Sequence, residues 1–350
     1  MTVPYSLPTL KSIAQNFFEE ILAKEKGKKS SLAFIKNPIP KSLLLIKEKI
    51  YQEITIGGSV FESKIIENNQ IKDKKKIIIQ SPFVNKKDLF VLIEKFLNPK
   101  ISFLILNFAF SLEPVLRDNL LDGKLLKTSK EHQLFDLIGK VVGKELENYI
   151  FQNQKRKIKV TVANDTIFLL LSGIKKGINP LFLVAGIIGT GTNFGFFLDE
   201  KTAVNLESGN FDKFPQTKTG KIIDQKSENP GSQLFEKEVA GAYLFKHYNL
   251  LNPKKPISST KELTFLSQKG DLLAQKLLTH SASLIASQIV GIYQYKKRFL
   301  GMKNPGFKYV SDFEFQLSDL LFKMTGSLFL YGFRYKEMVE EYTKKILNLF

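Results

Sequence analysis

The chain has no cysteine, so it can form no disulfide and offer no thiolate to a substrate or a metal ion. Histidine is scarce. His132, His247 and His280 stand far apart, in no metal-ligand spacing, so no metal site is expected. No hydrophobic run approaches the roughly 20 residues a membrane helix needs. The best run, residues 181–188, ends in a glycine turn. The first residues carry no basic stretch followed by an apolar core, so no signal peptide is expected. With the missing cysteines, this points to a cytoplasmic chain without a membrane partner. There is no Gly-x-Ser-x-Gly elbow. The glycine-rich segment 189–193 lacks the Lys-Ser/Thr ending of a Walker loop. Acidic residues are in deficit, 34 against 52 Lys and Arg, for a net charge of +18. Such an excess can mean a nucleic acid or an anionic substrate. The lysines are spread along the whole length, however, and the densest runs, 72–76 and 155–159, flank apolar strands. They read as solvated strand ends, and no nucleic-acid partner is expected.

What is present is a globular composition, 43% apolar and 25% charged over 350 residues, enough for two domains with separate cores. Residues 9–23 have helical apolar spacing through Leu10, Ile13, Phe17, Phe18 and Ile21. Strands are expected at 50–56, 60–66 and 76–80. Gly57, Gly58 and Ser59 turn the first pair and Asn68 and Asn69 the second, which makes an antiparallel meander. A helix at 86–96, a buried strand at 101–110, a long helix at 134–154 and a strand at 157–163 follow. The second half repeats the meander with strands at 181–188, 193–198 and 203–207. Helices are then expected at 234–250, capped by Gly231 and Ser232, and at 261–293 with a break at Gly270 and Asp271. A short strand and turn at 327–333 and an amphipathic helix at 335–349 complete the pattern.

Two segments carry candidate chemistry. An apolar strand closes in Asn164, Asp165 and Thr166, which puts a carboxylate at a strand end, where a base can face a cleft. The next apolar run closes in Gly189, Thr190, Gly191, Thr192 and Asn193, whose N–H groups and hydroxyls can hold phosphate oxygens. Together they suggest a phosphotransferase whose acceptor hydroxyl is deprotonated by Asp165. A duplicated βββαβα unit with a phosphate turn and a carboxylate at the junction describes a two-domain α/β, actin-like ATPase (ribonuclease H-like) fold.

At this point the chain resembles the hexokinases, through segments that match in order. Phe108, Ala109, Phe110 and Ser111 are similar to the Phe-Thr-Phe-Ser sugar loop. Residues 123–130 are similar to the Gly-x-Leu-x-x-Trp-Thr-Lys segment, with Thr128 in place of the Trp. Asn164, Asp165 and Thr166 match the catalytic Asn-Asp-Thr, and residues 189–193 the second phosphate loop. Asn205 and Glu207 match one glutamate segment. Residues 230–237 match the other, Pro-Gly-x-Gln-x-Phe-Glu-Lys, and this is a specific match. Singly, each residue has an ordinary explanation. Ser111 can cap the turn before Glu113 and Pro114, Glu207 can be a strand-edge residue, and Glu236 can be a first-turn carboxylate favoured by the helix dipole. The ordered set favours a sugar site.

The resemblance implies that Ser111, Ser129, Lys130, Asn164, Asn193, Glu207 and Glu236 hydrogen-bond the hydroxyls of a hexose, glucose first. It implies that Asp165 takes the proton of the 6-hydroxyl as it attacks the γ-phosphate. ATP with its Mg²⁺ would be held by Gly57, Gly58, Ser59, Gly189, Thr190, Gly191, Thr192, Gly326 and Ser327. It also implies a smaller domain at 49–162 to which a terminal helix, 335–350, returns. The larger domain would run over 163–334 and take in the segment 1–48, and sugar binding would close the two. Departures from the family pattern fall on the nucleotide side. The Asp-x-Gly-Gly-Thr-Asn-x-Arg hairpin has Thr55 for its Asp, Val60 for its Asn and Glu62 for its Arg, and the adenosine-side Asp-Gly-Ser has Thr325 for its Asp. Exchanging a cation for an anion near a phosphate is unfavourable. Two expectations follow: a working hexokinase, or a hexokinase-like sugar-binding protein with little or no transfer activity.

Overall fold

The computed structural model describes residues 4–44, 46, 48–57, 60–68, 70–128, 132–174, 178–302 and 306–350. Along the chain come α1 (Leu7–Glu25), β1 (Ile35–Pro38), α2 (Lys41–Leu44), β2 (Ile50–Ile56), β3 (Val60–Glu67), β4 (Gln70–Ile78) and α3 (Lys86–Phe96). Then follow β5 (Phe103–Phe108), β6 (Ser111–Arg117), β7 (Leu120–Lys127), α4 (Val142–Gln154), β8 (Lys159–Ala163) and α5 (Asp165–Ile174). The rest comprises β9 (Leu183–Ile188), β10 (Thr192–Asp199), β11 (Thr202–Asn205), α6 (Lys218–Gln225), α7 (Leu234–Val239), α8 (Gly241–Leu251), α9 (Thr260–Gln268) and α10 (Leu272–Leu300). It ends with β12 (Phe307–Ser311), β13 (Glu314–Leu317), β14 (Leu320–Thr325), α11 (Ser327–Tyr331) and α12 (Tyr335–Leu347).

The chain forms two compact units. One holds Met1–Phe34, Phe182–Phe196 and Asn205–Phe350; the other holds Ile35–Leu181 and Phe197–Val204. In the second unit a five-stranded sheet has the order β4-β3-β2-β5-β8. The meander β2–β3–β4 is antiparallel, and β5 and β8 add in parallel beside β2. Ile54, Ile56, Leu104, Leu106, Val160 and Val162 form its core with Leu89 and Ile93 of α3 and Leu146 and Ile150 of α4. Burial of such side chains is the main favourable term, about 1.5–3 kcal/mol each. The seven-stranded sheet has the order β1-β11-β10-β9-β14-β13-β12. Its meander again starts at a central strand, β9, with the parallel strand β14 on the other side. The duplication shows in those four positions. Beyond β14 lie the antiparallel strands β13 and β12 rather than a fifth parallel strand.

Several elements differ from expectation, each for a local reason. The helix expected over 134–154 begins only at Val142, because Gly139 takes φ +75°, outside the helical region. Strand β4 starts six residues earlier than the apolar segment suggested, at Gln70. It is an edge strand exposed along nearly all of its length, so burial imposes no alternation on it, and its lysines guard the edge. Hairpin β6–β7 was not expected. Asp118 and Asn119, at φ +48° and +60°, form its two-residue turn, a geometry that suits these residue types. The helix at 234–250 breaks at Ala240, whose ψ of 156° is extended. Gly231 and Ser232 do not cap it; the residue before α7 is Gln233, at φ +53° and without a side-chain cap bond. Residues 327–331 are helical, where a short strand and turn were expected over 327–333. Helix α12 packs on α10 and α1 within the first unit, whereas the sequence placed the terminal helix with the smaller domain.

Candidate active site

In the first unit, β9 runs into Gly189, Thr190 and Gly191, and β10 leaves at Thr192. Gly189 N–H donates to the Gly191 carbonyl at 2.9 Å and closes the turn. Helix α8 begins against it: Gly241 N–H donates to the Gly189 carbonyl at 2.7 Å and Ala242 N–H to the Thr190 carbonyl at 3.1 Å. The turn is therefore held by orphan donors of a helix N-terminus. Gly326 and Ser327, more than a hundred residues away in sequence, lie against it. A Cβ on Gly189 would stand 3.2 Å from both Gly326 Cα and Ser327 N. Gly326 has φ +104°, and a Cβ there would meet the Ile188 carbonyl oxygen at 2.3 Å. No other residue type fits this contact. The two segments assigned to phosphate and adenosine are thus one surface of backbone.

The residues assigned to sugar adjoin that turn. Asn193 Nδ2 donates to Asn205 Oδ1 at 2.7 Å, and Asn205 Nδ2 donates to Glu207 Oε1 at 2.8 Å. Ser208 N–H donates to Asn193 Oδ1 at 3.2 Å. The network fixes which way each amide points. Glu207 sits in the left-handed region at φ +49°, which costs a non-glycine residue about 1–3 kcal/mol and gathers at functional sites. Glu236 accepts from Thr192 N–H at 2.9 Å through Oε2. Gly191 and Gly209 make room for it, since a Cβ on either would come within 2.5 Å and 3.4 Å of the same oxygen. Thr192 Oγ1 is buried without a hydrogen-bond partner among the described residues.

Glu236 is held from behind. Lys237 is buried, and its ammonium donates to Asp224 Oδ1 at 2.6 Å and to the Asn229 carbonyl at 2.7 Å. The same Asp224 accepts from Gly231 N–H at 3.1 Å. Helix α6, the loop 229–233 and helix α7 are tied at one point. Next to it, Glu238 is fully buried and accepts from His280 Nε2 at 3.1 Å. Burial opposes its charge, but His280 and His247 outweigh that and hold it below the usual carboxylate range. Burial pushes His247 down, against the pull of the Glu238 carboxylate. Its Nε2 faces a carbonyl and so donates, to Lys237 O at 2.9 Å, and its Nδ1 bonds the Thr219 hydroxyl at 2.7 Å.

In the second unit the candidate residues collect at the carboxyl ends of parallel strands, where α/β sheets bind ligands. Asn164 and Asp165 follow β8, Gly57 follows β2, and Asn107 lies in the last turn of β5, paired with Ala163 and Thr55. Thr166 N–H donates to Asn164 Oδ1 at 3.0 Å and Asp165 Oδ1 at 2.9 Å, which caps α5 and fixes the Asp165 carboxylate at the helix start. Gly57 N–H donates to the Val60 carbonyl at 2.8 Å. Ser111 opens β6. That hairpin is anchored by Arg117, which bonds Asp122 at 3.0 Å and Glu147 at 2.9 Å. Glu62 pairs opposite Thr55 in the ladder and is ion-paired with Lys64 at 2.6 Å and Lys74 at 3.3 Å. Gly58, Ser59, Ser129 and Lys130 lie outside the described residues.

The sequence profile of the hexokinase family matches residues 183–249. Over that segment the chain is similar to the hexokinases. Hexokinase-9 of Oryza sativa subsp. japonica is 33% identical over 157 residues, 40% of this chain and 30% of the rice protein. A hexokinase of Emericella nidulans is 32% identical over 173 residues, 44% of this chain and 34% of the fungal protein. Each match therefore spans about a third of the relative's own length. A solved structure described as a hexokinase superposes with a TM-score of 0.72 at 20% identity, over 98% of this chain and 90% of its own. The hexokinase from Schistosoma mansoni complexed with glucose gives 0.70 at 17%, with the same coverages. At such identities these structures show the actin-like fold alone.

The hexokinase-matched segment contains the Gly189 turn, Asn193, Asn205, Glu207 and Glu236, which the structure brings together. Ser111, Asn164, Asp165 and Gly326 lie outside it. Three residues of this chain were not singled out from sequence. Asn205 links two expected sugar ligands; a polar residue closing the apolar strand β11 was the available signal. Asn107 interrupts the apolar strand β5 and leaves Oδ1 buried without a partner among the described residues. Lys237 closes the matched segment 230–237 but was given no role, because only folding places it beside Asp224.

Proposed function

We propose that this chain is an ATP-dependent sugar kinase that phosphorylates the 6-hydroxyl of glucose or a related hexose, with Asp165 as general base. The observation that carries this reading is the run Asn193–Asn205–Glu207 beside a glutamate anchored on the Gly189 turn. Sugar hydroxyls are each donor and acceptor, and a preset row of amides and carboxylates satisfies them while penalising analogues that leave a buried group unpaired. Asn193, Glu207 and Glu236 bind the sugar, with Ser111, Ser129, Lys130 and Asn164 as further ligands. The turns at Gly57, Gly58 and Ser59 and at Gly189 to Thr192 take the nucleotide phosphates, and Gly326 and Ser327 take its adenosine side. A turn of glycines and hydroxyls fits phosphate oxygens. Mg²⁺ arrives bound to the nucleotide. Asp165 needs only an ordinary carboxylate, because an attacking alcohol gives up its proton late. Base catalysis of this kind contributes about 10²–10⁴-fold, and positioning and charge stabilisation supply the rest.

A second reading, a sugar-binding protein with little transfer activity, is favoured by one observation. Glu62, where the family pattern has a cation, is an ionised carboxylate, since Lys64 and Lys74 outweigh its burial, and it engages those two lysines itself. Glucose-6-phosphate formation with glucose, Mg²⁺ and ATP, beside the Asp165→Asn variant, separates the two. Product from the parent and a loss of about 10²-fold or more in the variant support the kinase. Glucose binding by calorimetry without product from either would leave the sugar-binding reading.

A further inference from the structure

Helices α6 and α8 enclose a cavity of ≈ 300 Å³ that none of the residues assigned above lines. This is the lower end of the range for small-molecule sites, about 300–1,000 Å³. Ile222, Ile223, Tyr243 and Leu250 form its apolar walls, and the polar Ser227 and Asn249 also line it. Ile222 and Leu250 remain 37% and 38% exposed, although they are large apolar side chains. Lys226 and Lys246 stand at its edge, and no carboxylate is among the lining residues. Neither lysine is ion-paired among the described residues. The Lys246 ammonium lies 5.1 Å from the Tyr243 ring centroid, which holds the charge near the cavity. Burial, then the Glu236 and Glu228 carboxylates, push the Tyr243 phenol up, so it keeps its proton and stays a donor.

We infer that this cavity is a binding site for a small aromatic anion, a flat apolar body carrying one carboxylate, sulfonate or phosphate. The ring body covers the isoleucine, leucine and tyrosine surface. The acid group takes the two ammonium groups and the phenol O–H. The position also bears on the turn described above. Wall α6 carries Asp224, which clamps Lys237 beside Glu236, and wall α8 starts at Gly241, whose N–H holds the Gly189 carbonyl. A ligand seated between these helices stiffens both attachments.

The test uses the full chain and two probes, 2-naphthoate and its uncharged analogue 2-naphthamide. The chain has no tryptophan, so naphthyl fluorescence is read without indole overlap. Saturable naphthoate binding is expected, with naphthamide weaker by roughly tenfold or more, the worth of one good charge contact. The Lys226→Glu/Lys246→Glu variant should lose roughly tenfold or more of the naphthoate affinity. Both side chains are exposed, so its thermal midpoint should stay that of the parent. Naphthoate should also slow hydrogen exchange at the amides of Gly241 and Ala242. No saturable binding at millimolar naphthoate, equal affinity for the two probes, or full affinity in the double variant would each overturn the assignment. Unchanged exchange at Gly241 and Ala242 would overturn the stiffening. None of these readouts depends on sugar phosphorylation.

Discussion

Removing the Asp224 carboxylate should damage this protein well beyond the loss of one contact. Lys237 is 3% exposed at its side chain and has two acceptors, Asp224 at 2.6 Å and the Asn229 carbonyl at 2.7 Å. In Asp224→Ala the ammonium keeps only the carbonyl, in a site water scarcely reaches. Breaking a buried pair from one side costs about 3–5 kcal/mol, because the remaining charge is uncompensated. Gly231 N–H loses its acceptor as well, but it is exposed and can bond water instead. Removing both charges is different: Asp224→Ala/Lys237→Met has no buried charge left to desolvate, and replacing such pairs by apolar groups is often close to neutral. The singles and the double therefore form a cycle with a coupling of at least about 3 kcal/mol, since the double is near neutral while each single leaves a charge behind. Urea unfolding at constant m-value reads it directly. The Lys237→Met single should be milder than Asp224→Ala, since Asp224 is 15% exposed and retains Gly231 N–H. Additive singles, or an Asp224→Ala cost below about 0.5 kcal/mol, would refute the reasoning, because that is the size of ordinary surface substitutions.

Other expectations follow from the same geometry. Gly326→Ala should cost at least about 2 kcal/mol, since φ +104° strains any side chain and the new Cβ meets the Ile188 carbonyl. Gly270→Ala, at φ +92° with nothing within 4 Å, should cost about half as much, and equal losses in thermal melts would show that the contact is unimportant. Asn205→Asp puts a second carboxylate beside Glu207, with which Asn205 now bonds at 2.8 Å, and removes the amide donor. Glucose affinity by calorimetry should fall roughly tenfold or more, and unchanged affinity would remove Asn205 from the sugar site. The His247–Glu238 pair predicts acid sensitivity. His247 is held below its unfolded value of ~6.5, so the unfolded chain takes up that proton first and the stabilisation, full above pH ~6.5, declines below it. Glu238, held below its usual range, adds a second loss as pH falls through its folded value. The urea midpoint should drop between about pH 7 and 5, and His247→Gln should flatten that slope; an equal slope in the variant would count against the buried imidazole.

What the sequence determined by itself were the features written in local chemistry. Apolar alternation placed β2 and β3, helical spacing placed α1 and α3, and glycine with Asp placed the break before α10, because period and punctuation depend on neighbours along the chain. The Asn-Asp-Thr and Gly-Thr-Gly-Thr-Asn segments were legible for the same reason. Strand β4 was less so, since an exposed edge strand imposes no apolar period, and β7 buries consecutive residues and so shows no alternation. Segment 327–333 read as a short strand and turn because its apolar run is too short to decide, and only packing on β9 and α12 made residues 327–331 a helix. Tertiary structure alone decided that Gly326 backs onto Gly189, that Asn205 joins Asn193 to Glu207, and that Asp224 clamps Lys237. Each joins residues that no periodicity connects. Their geometry follows from which strands pair and which helices pack, and long-range burial sets that where local preference is silent.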